Sequence, residues 1–160
     1  MSRSGYSDDC ENLELWRGAV RAALRGKRGQ TALREIIAAL DALPERRLAS
    51  ESLVNAEGEF CTLGALGRAR GVDMSSIDPE DSYAVAQAFG ISNAMAREIM
   101  FLNDEHCDDW KYVDVVICGP TRPFQRHERR VRVPDEAAAE KRWAYMREWA
   151  TKNFRSEKQP

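Results

Sequence analysis

A helical period in the apolar residues, cut into short lengths by glycine and proline, constrains this chain more than any other feature. From Asn12 to about Arg25, the residues Leu13, Trp16, Val20, Ala23 and Leu24 recur at steps of three and four, with Asn12 placed to cap the first turn. Gly26 and Gly29 interrupt, and Ala32, Leu33, Ile36, Ile37, Leu40 and Leu43 resume the period until Pro44 forbids continuation. This stretch reads as two amphipathic helices forming an antiparallel hairpin.

Further along, the elements are shorter. Leu48, Leu53, Val54, Phe60 and Cys61 flank the turn-like Asn55-Ala56-Glu57-Gly58, so a short β-hairpin is expected between Arg47 and Thr62. Thr62 to Arg70 suits a short helix in which Gly64, Ala65, Gly67 and Ala69 admit a close neighbour and Gly71 supplies a left-handed cap. Asp78-Pro79-Glu80-Asp81 combines a capping carboxylate, a proline for the first helical position and acids for the positive end of the dipole, starting a helix that runs to Phe89. Gly90 ends it, Ile91 folds back on the last turn, and Ser92 caps a helix with Met95, Ile99 and Leu102 on one side, giving an αα-corner. Trp110 to Cys118 then reads as a strand, Gly119-Pro120 breaks it, and Arg129 to Val133 alternates basic with apolar residues, so 110–133 forms an inserted β-arm. Pro134-Asp135-Glu136 opens a last helix with Ala139, Trp143, Met146, Ala150 and Phe154 on one face. The expected fold is α+β and predominantly helical. With 160 residues, 43% of them apolar, the chain sustains one core and one domain, residues 1–11 and 155–160 being loose ends.

Charge is segregated. The net charge is −2, yet residues 15 to 34 carry six Arg or Lys and no acid, which leaves −8 for the rest. The first residues lack the apolar run of a signal peptide, and no stretch approaches the roughly 18 apolar residues of a membrane span, so a cytoplasmic location without membrane contact is expected. Cys10, Cys61, Cys107 and Cys118 form no CxxC pair, which points to reduced thiols.

Four groups of residues carry candidate chemistry. At 100° per residue, Arg17, Arg21, Arg25 and Arg28 fall in one arc beside the face of Trp16, Val20 and Leu24, a stripe suited to phosphate or an acidic protein surface, or simply to solvent. Val85 to Ile99 has the spacing of a helix-turn-helix, with Ser92, Asn93, Met95 and Arg97 as its reading residues; flanking acids at Glu80, Asp81, Asp104 and Glu105 oppose phosphate contact there. Asn103 to Asp109, with Cys118 and His127, gathers carboxylates, histidine and cysteine, but in no defensible zinc, calcium or nuclease spacing. In the β-arm, Arg122, Arg126, Arg129, Arg130 and Arg132 lie around Phe124 and His127, with Trp110 and Tyr112 upstream, a mixture that suits a protein interface or single-stranded nucleic acid. Phosphate loop, nucleophile elbow and HExxH are all missing, so neither catalysis nor a metal or cofactor is expected.

Several segments together resemble a family of uncharacterised proteins encoded by phages and prophages. They are Arg25-Gly26-Lys27-Arg28-Gly29-Gln30, Leu40-Asp41-Ala42-Leu43-Pro44-Glu45, Leu63 to Gly71, Asp78 to Asp81, Ala96-Arg97-Glu98-Ile99 with Asn103-Asp104-Glu105, and Arg142 to Arg147. The resemblance spans residues 4 to 105 and 134 to 154. It implies a phage or prophage origin and is silent on mechanism. Together with the residues it leads us to expect a non-enzymatic accessory protein that binds a host or phage macromolecule, a protein or a nucleoprotein complex, in the bacterial cytoplasm. Inhibition of a host defence system, in the manner of an anti-CRISPR protein, is one form such binding takes. The alternative is a helix-turn-helix DNA-binding regulator. A metal-dependent hydrolase built on Asp104, His106 and Asp108 ranks third.

Overall fold

In the computed structural model, which describes residues 3–6, 13–117 and 127–155, the elements follow the order helix, helix, helix, helix, helix, strand, strand, helix. They are α1 (Leu13–Arg25), α2 (Lys27–Asp41), α3 (Thr62–Arg70), α4 (Ser82–Ala88), α5 (Asn93–Glu105), β1 (Trp110–Ile117), β2 (His127–Pro134) and α6 (Ala138–Asn153). The fold is therefore α+β and predominantly helical. Helix α2 packs against α3 and α6, α1 packs against α2 and α5, and α4 against α5. Leu33, Ile36 and Leu40 of α2, Leu63 and Leu66 of α3, Ile99 and Met100 of α5 and Met146 of α6 are fully buried in one core. Burying each such side chain stabilises by about 1.5–3 kcal/mol.

Small residues set how closely α3 sits. A Cβ on Gly64 would lie 1.9 Å from the Leu53 carbonyl oxygen, and one on Gly67 would lie 2.3 Å from the Phe89 ring. The corner between α4 and α5 turns on Gly90, whose φ of +61° is left-handed and lets the Ile91 N–H reach back to the Ala86 carbonyl. The Ser92 hydroxyl then accepts from the Met95 N–H and caps α5.

Local chemistry moves several expected boundaries. Gly29 does not interrupt: it is buried inside α2, which begins at Lys27 after a single extended residue, Gly26. Arg28 consequently lies on α2 and not on the stripe of α1, because the break at Gly26 resets the helical count. The hairpin expected between Arg47 and Thr62 reduces to one bridge, Val54 to Phe60, since the Asn55 side chain accepts from the Glu57 and Glu59 N–H groups and closes a tight loop. Helix α4 starts at Ser82 with Asp81 as its cap, because Asp78 instead accepts from Glu80 in a turn of its own. Similarly, Asp135 accepts from the Ala137 N–H and delays α6 to Ala138. Of the terminal residues expected to be loose, Arg3 and Ser4 are buried, and the Arg155 N–H donates to Gln30.

A buried polar knot ties these elements together. Arg142 of α6 is 1% exposed and donates to the carbonyls of Asn103 at 2.7 Å, Leu48 at 2.8 Å and Cys107 at 3.3 Å, and to the Asp109 carboxylate at 2.7 Å. Asn103 accepts on Oδ1 from the Thr62 N–H and hydroxyl, and donates from Nδ2 to the Ala49 carbonyl and to Asp104. Asp104 in turn holds Arg3 through two bonds, at 2.7 and 3.0 Å. Removing a buried cation on which several acceptors depend leaves them unsatisfied. Arg142→Ala should lower the free energy of unfolding in urea by about 3–5 kcal/mol. Arg147→Ala, which breaks a half-exposed pair with Asp41, should cost about 1 kcal/mol or less.

Candidate functional site

The β-arm is a two-stranded antiparallel hairpin, and among the described residues no third strand pairs with either edge. Its register places Trp110 opposite Pro134, Tyr112 opposite Arg132, Asp114 opposite Arg130 and Val116 opposite Glu128, all on one face. On that face Arg132 lies 3.8 Å from the Trp110 ring centroid, Arg130 lies 5.0 Å from that of Tyr112, and the two rings meet edge to face at 4.9 Å. Each pairing is a cation–π contact that places a guanidinium beside an aromatic ring on an exposed face. Lys111, Val113, Val115, Arg129, Val131 and Val133 form the opposite face. Of the arm residues picked out in the sequence, Trp110, Tyr112 and Arg130 thus come together, Arg129 lies behind them, and Arg122, Phe124 and Arg126 fall outside the described residues.

The root of the arm is anchored. The Asp135 N–H donates to the Asp109 carbonyl, Asp135 pairs with Lys141 at 2.6 Å and Lys111 at 3.6 Å, and Asp109 is held by Arg142. Lys141 is the largest cause of the downward shift of the Asp135 carboxyl.

The stripe on α1 divides. Arg21 and Arg25 are exposed, whereas Arg17 lies over the Trp16 ring at 4.5 Å and reaches Glu98 at 3.6 Å. Arg28 is exposed on α2. Glu98 is buried with Oε2 lacking a hydrogen-bond partner. Burial pushes its carboxyl upward, and the Arg17 charge offsets this only in part.

The corner does not present the four expected reading residues as one surface. Ser92 is occupied as a cap, Met95 is 1% exposed in the core, and Asn93 is half-buried with its Oδ1 enclosed. Arg97 donates to the Ser4 carbonyl at 2.6 Å and the Gly5 carbonyl at 2.8 Å, and stacks over Tyr6 at 4.6 Å. Nothing in the sequence signalled that residues 3–6 would cover this helix.

The acidic turn is likewise engaged. Asp104 binds Arg3 and the Glu51 N–H, and His106 stacks on Tyr145 at 3.6 Å. Among the described residues no three His, Cys, Asp or Glu side chains are grouped to hold a metal ion. No helix of those residues is long and apolar enough to cross a membrane. Sequence reading missed Arg142 and Asn103 as organisers, and Lys152 and Arg155 as neighbours of the α1 stripe. Their partners lie far away along the chain, and the only local signal was the preference of cations for a helix C-terminus. Compared with protein-family models, curated proteins and solved structures, the chain finds no match.

Glu98 provides a test by pH. Because its folded-state pKa is raised, its contribution to stability is present at low pH and lost as pH rises through the folded value. Glu98→Gln keeps the shape without the charge. It should melt at a higher temperature than the parent at neutral pH, and the gap should close as pH falls from the raised folded value to the ordinary carboxyl range at about 4. Thermal melts across that range check the sign.

Proposed function

We propose that this protein acts by binding, presenting the arginine–aromatic face of its β-arm to an acidic surface on another macromolecule. The observation that carries this reading is the ladder of Arg132 over Trp110 and Arg130 over Tyr112 on a hairpin with exposed side chains on both faces. An isolated two-stranded hairpin is marginal in water, so an arm of this kind gains most when a partner covers it. Aromatic and arginine side chains are also those that most often dominate binding energy at interfaces.

Asp114 and Glu128 share the face with the arginines. Mixed charge of this sort favours a protein partner over a phosphate backbone, which would repel both acids. The resemblance to phage and prophage proteins supports a partner from the host or the phage, and blockade of a host defence protein fits a binding arm. Burial of Met95 and the engagement of Arg97 weigh against the DNA-regulator reading.

The test is capture from host lysate by the parent protein, identification by mass spectrometry, and titration of the purified partner. Arg130→Glu with Arg132→Glu should leave the helical circular dichroism intact and weaken binding by about tenfold or more, most steeply at low salt. A partner that binds this variant as tightly as the parent would move the interface away from the arm.

A further inference from the structure

The second basic surface is a recess at the other end of α6. Gln30, near the start of α2, donates from Nε2 to the Leu24 carbonyl at 2.7 Å and to the Asn153 carbonyl at 3.0 Å, while its Oε1 accepts from the Arg155 N–H at 2.7 Å. One side chain thereby locks the C-terminal end of α1 against the C-terminal end of α6. The lock sets Arg21 and Arg25, one turn apart on α1, around the same recess of about 260 Å³ as Lys152, Asn153 and Arg155, with Leu24 also in its lining. Four cations line it, and among the described residues no carboxylate does.

The plain account of these cations is the helix dipole, since two C-terminal ends each favour a positive side chain. That accounts for one cation per helix end and leaves unexplained the gathering of four in one concavity whose lining holds no carboxylate among the described residues. Lys152 pairs with Glu148 at 2.6 Å, but both groups are well exposed and the pair runs along α6. The Asn153 amide is turned to its own helix, donating to the Trp149 carbonyl. Like charges gathered in a concavity raise the local potential and concentrate a multivalent anion. Guanidinium groups add the planar fork that matches phosphate oxygens two at a time. The volume is below the roughly 300–1,000 Å³ of drug-sized pockets, which suits a short run of phosphates better than a larger organic ligand.

We propose that the recess formed by Arg21, Arg25, Lys152 and Arg155 is a binding site for linked phosphates, supplied by a free polyphosphate or by a nucleic-acid backbone. It is separate from the β-arm and does not depend on the arm's function. The probe is inorganic tripolyphosphate, titrated calorimetrically into the full chain at fixed ionic strength. The parent should bind saturably, one per chain. Arg25→Ala with Lys152→Ala should weaken binding by at least roughly tenfold. Arg21→Gln, on the exposed face of α1, is an independent variant that should weaken it in the same direction. Arg130→Ala with Arg132→Ala, on the arm, should bind tripolyphosphate as the parent does. A single-stranded oligonucleotide that tripolyphosphate displaces and the recess variants release identifies the backbone as the source; tripolyphosphate binding without oligonucleotide binding identifies a free polyphosphate. Either result upholds the site. Absence of saturable binding, recess variants that retain the parent's affinity, or an equal loss in the arm variant would overturn it.

Discussion

Arg142 is a guanidinium with almost no access to water, and the positions of three other segments depend directly on how it is satisfied. Its donors reach Leu48 in the loop before α3, Asn103 in the last turns of α5, and Cys107 and Asp109 on the approach to β1. A buried cation is costly unless each of its donors finds an acceptor, so the surrounding carbonyls must all be in place at once. Asn103 extends the same requirement to Thr62 and Ala49, and Asp104 extends it to Arg3. Apolar burial supplies most of the stability of the core. The polar knot fixes which carbonyls, and therefore which loops, face one another.

That division explains what could be read along the chain. Local periodicity revealed the amphipathic helices: Leu33, Ile36 and Leu40 on α2 and Met146 and Ala150 on α6 are buried as their spacing required. The αα-corner was legible for the same reason, since Gly90, Ile91 and Ser92 act through bonds to residues within a turn or two. The arm itself was legible from the extended stretch at Trp110 to Cys118 and the alternation at Arg129 to Val133, whereas its register is given by the structure. What escaped was every interaction closed over long sequence separation. Arg142 looks like an ordinary exposed cation of a helix, Arg97 looks like a reading residue until Ser4 and Gly5 lie beside it, and residues 3–6 look like a frayed end until Asp104 and Arg97 are brought to them. The candidate sites suffered most: the four-arginine stripe was a helical-wheel inference that the break at Gly26 divides, while Lys152 and Arg155 join it only through Gln30.

Helix α6 organises the two basic surfaces. Its first turns, through Lys141 and Arg142, hold the root of the arm, and its last residues form one wall of the recess with α1. Ten residues of α-helix from Arg142 to Lys152 separate them by about 15 Å along the axis. The charge balance agrees with this layout. Residues 110–134 hold six cations and two acids, a sum of +4, and residues 15–34 hold +6, so the remainder carries −12 to give the net −2. The excess of positive charge therefore lies in these two stretches, while elsewhere 12 Lys and Arg are outnumbered by 24 Asp and Glu.

The hairpin's alternation has a consequence of its own. Val113, Val115, Val131 and Val133 share one face and the arginine–aromatic ladder the other, and a slip of one residue between β1 and β2 would send every side chain of the slipped strand to the opposite side. With no third strand among the described residues to enforce the pairing, the tethers at the root of the arm help to set the register. Asp109 and Asp135, joined by a backbone bond and clamped by Arg142, Lys141 and Lys111, thus work as a stop that keeps the two strands in phase. A single deletion or insertion beside that stop would leave the composition of the arm unchanged and scramble which chemistry it shows, so length in this segment is as much a part of the interface as the residues themselves.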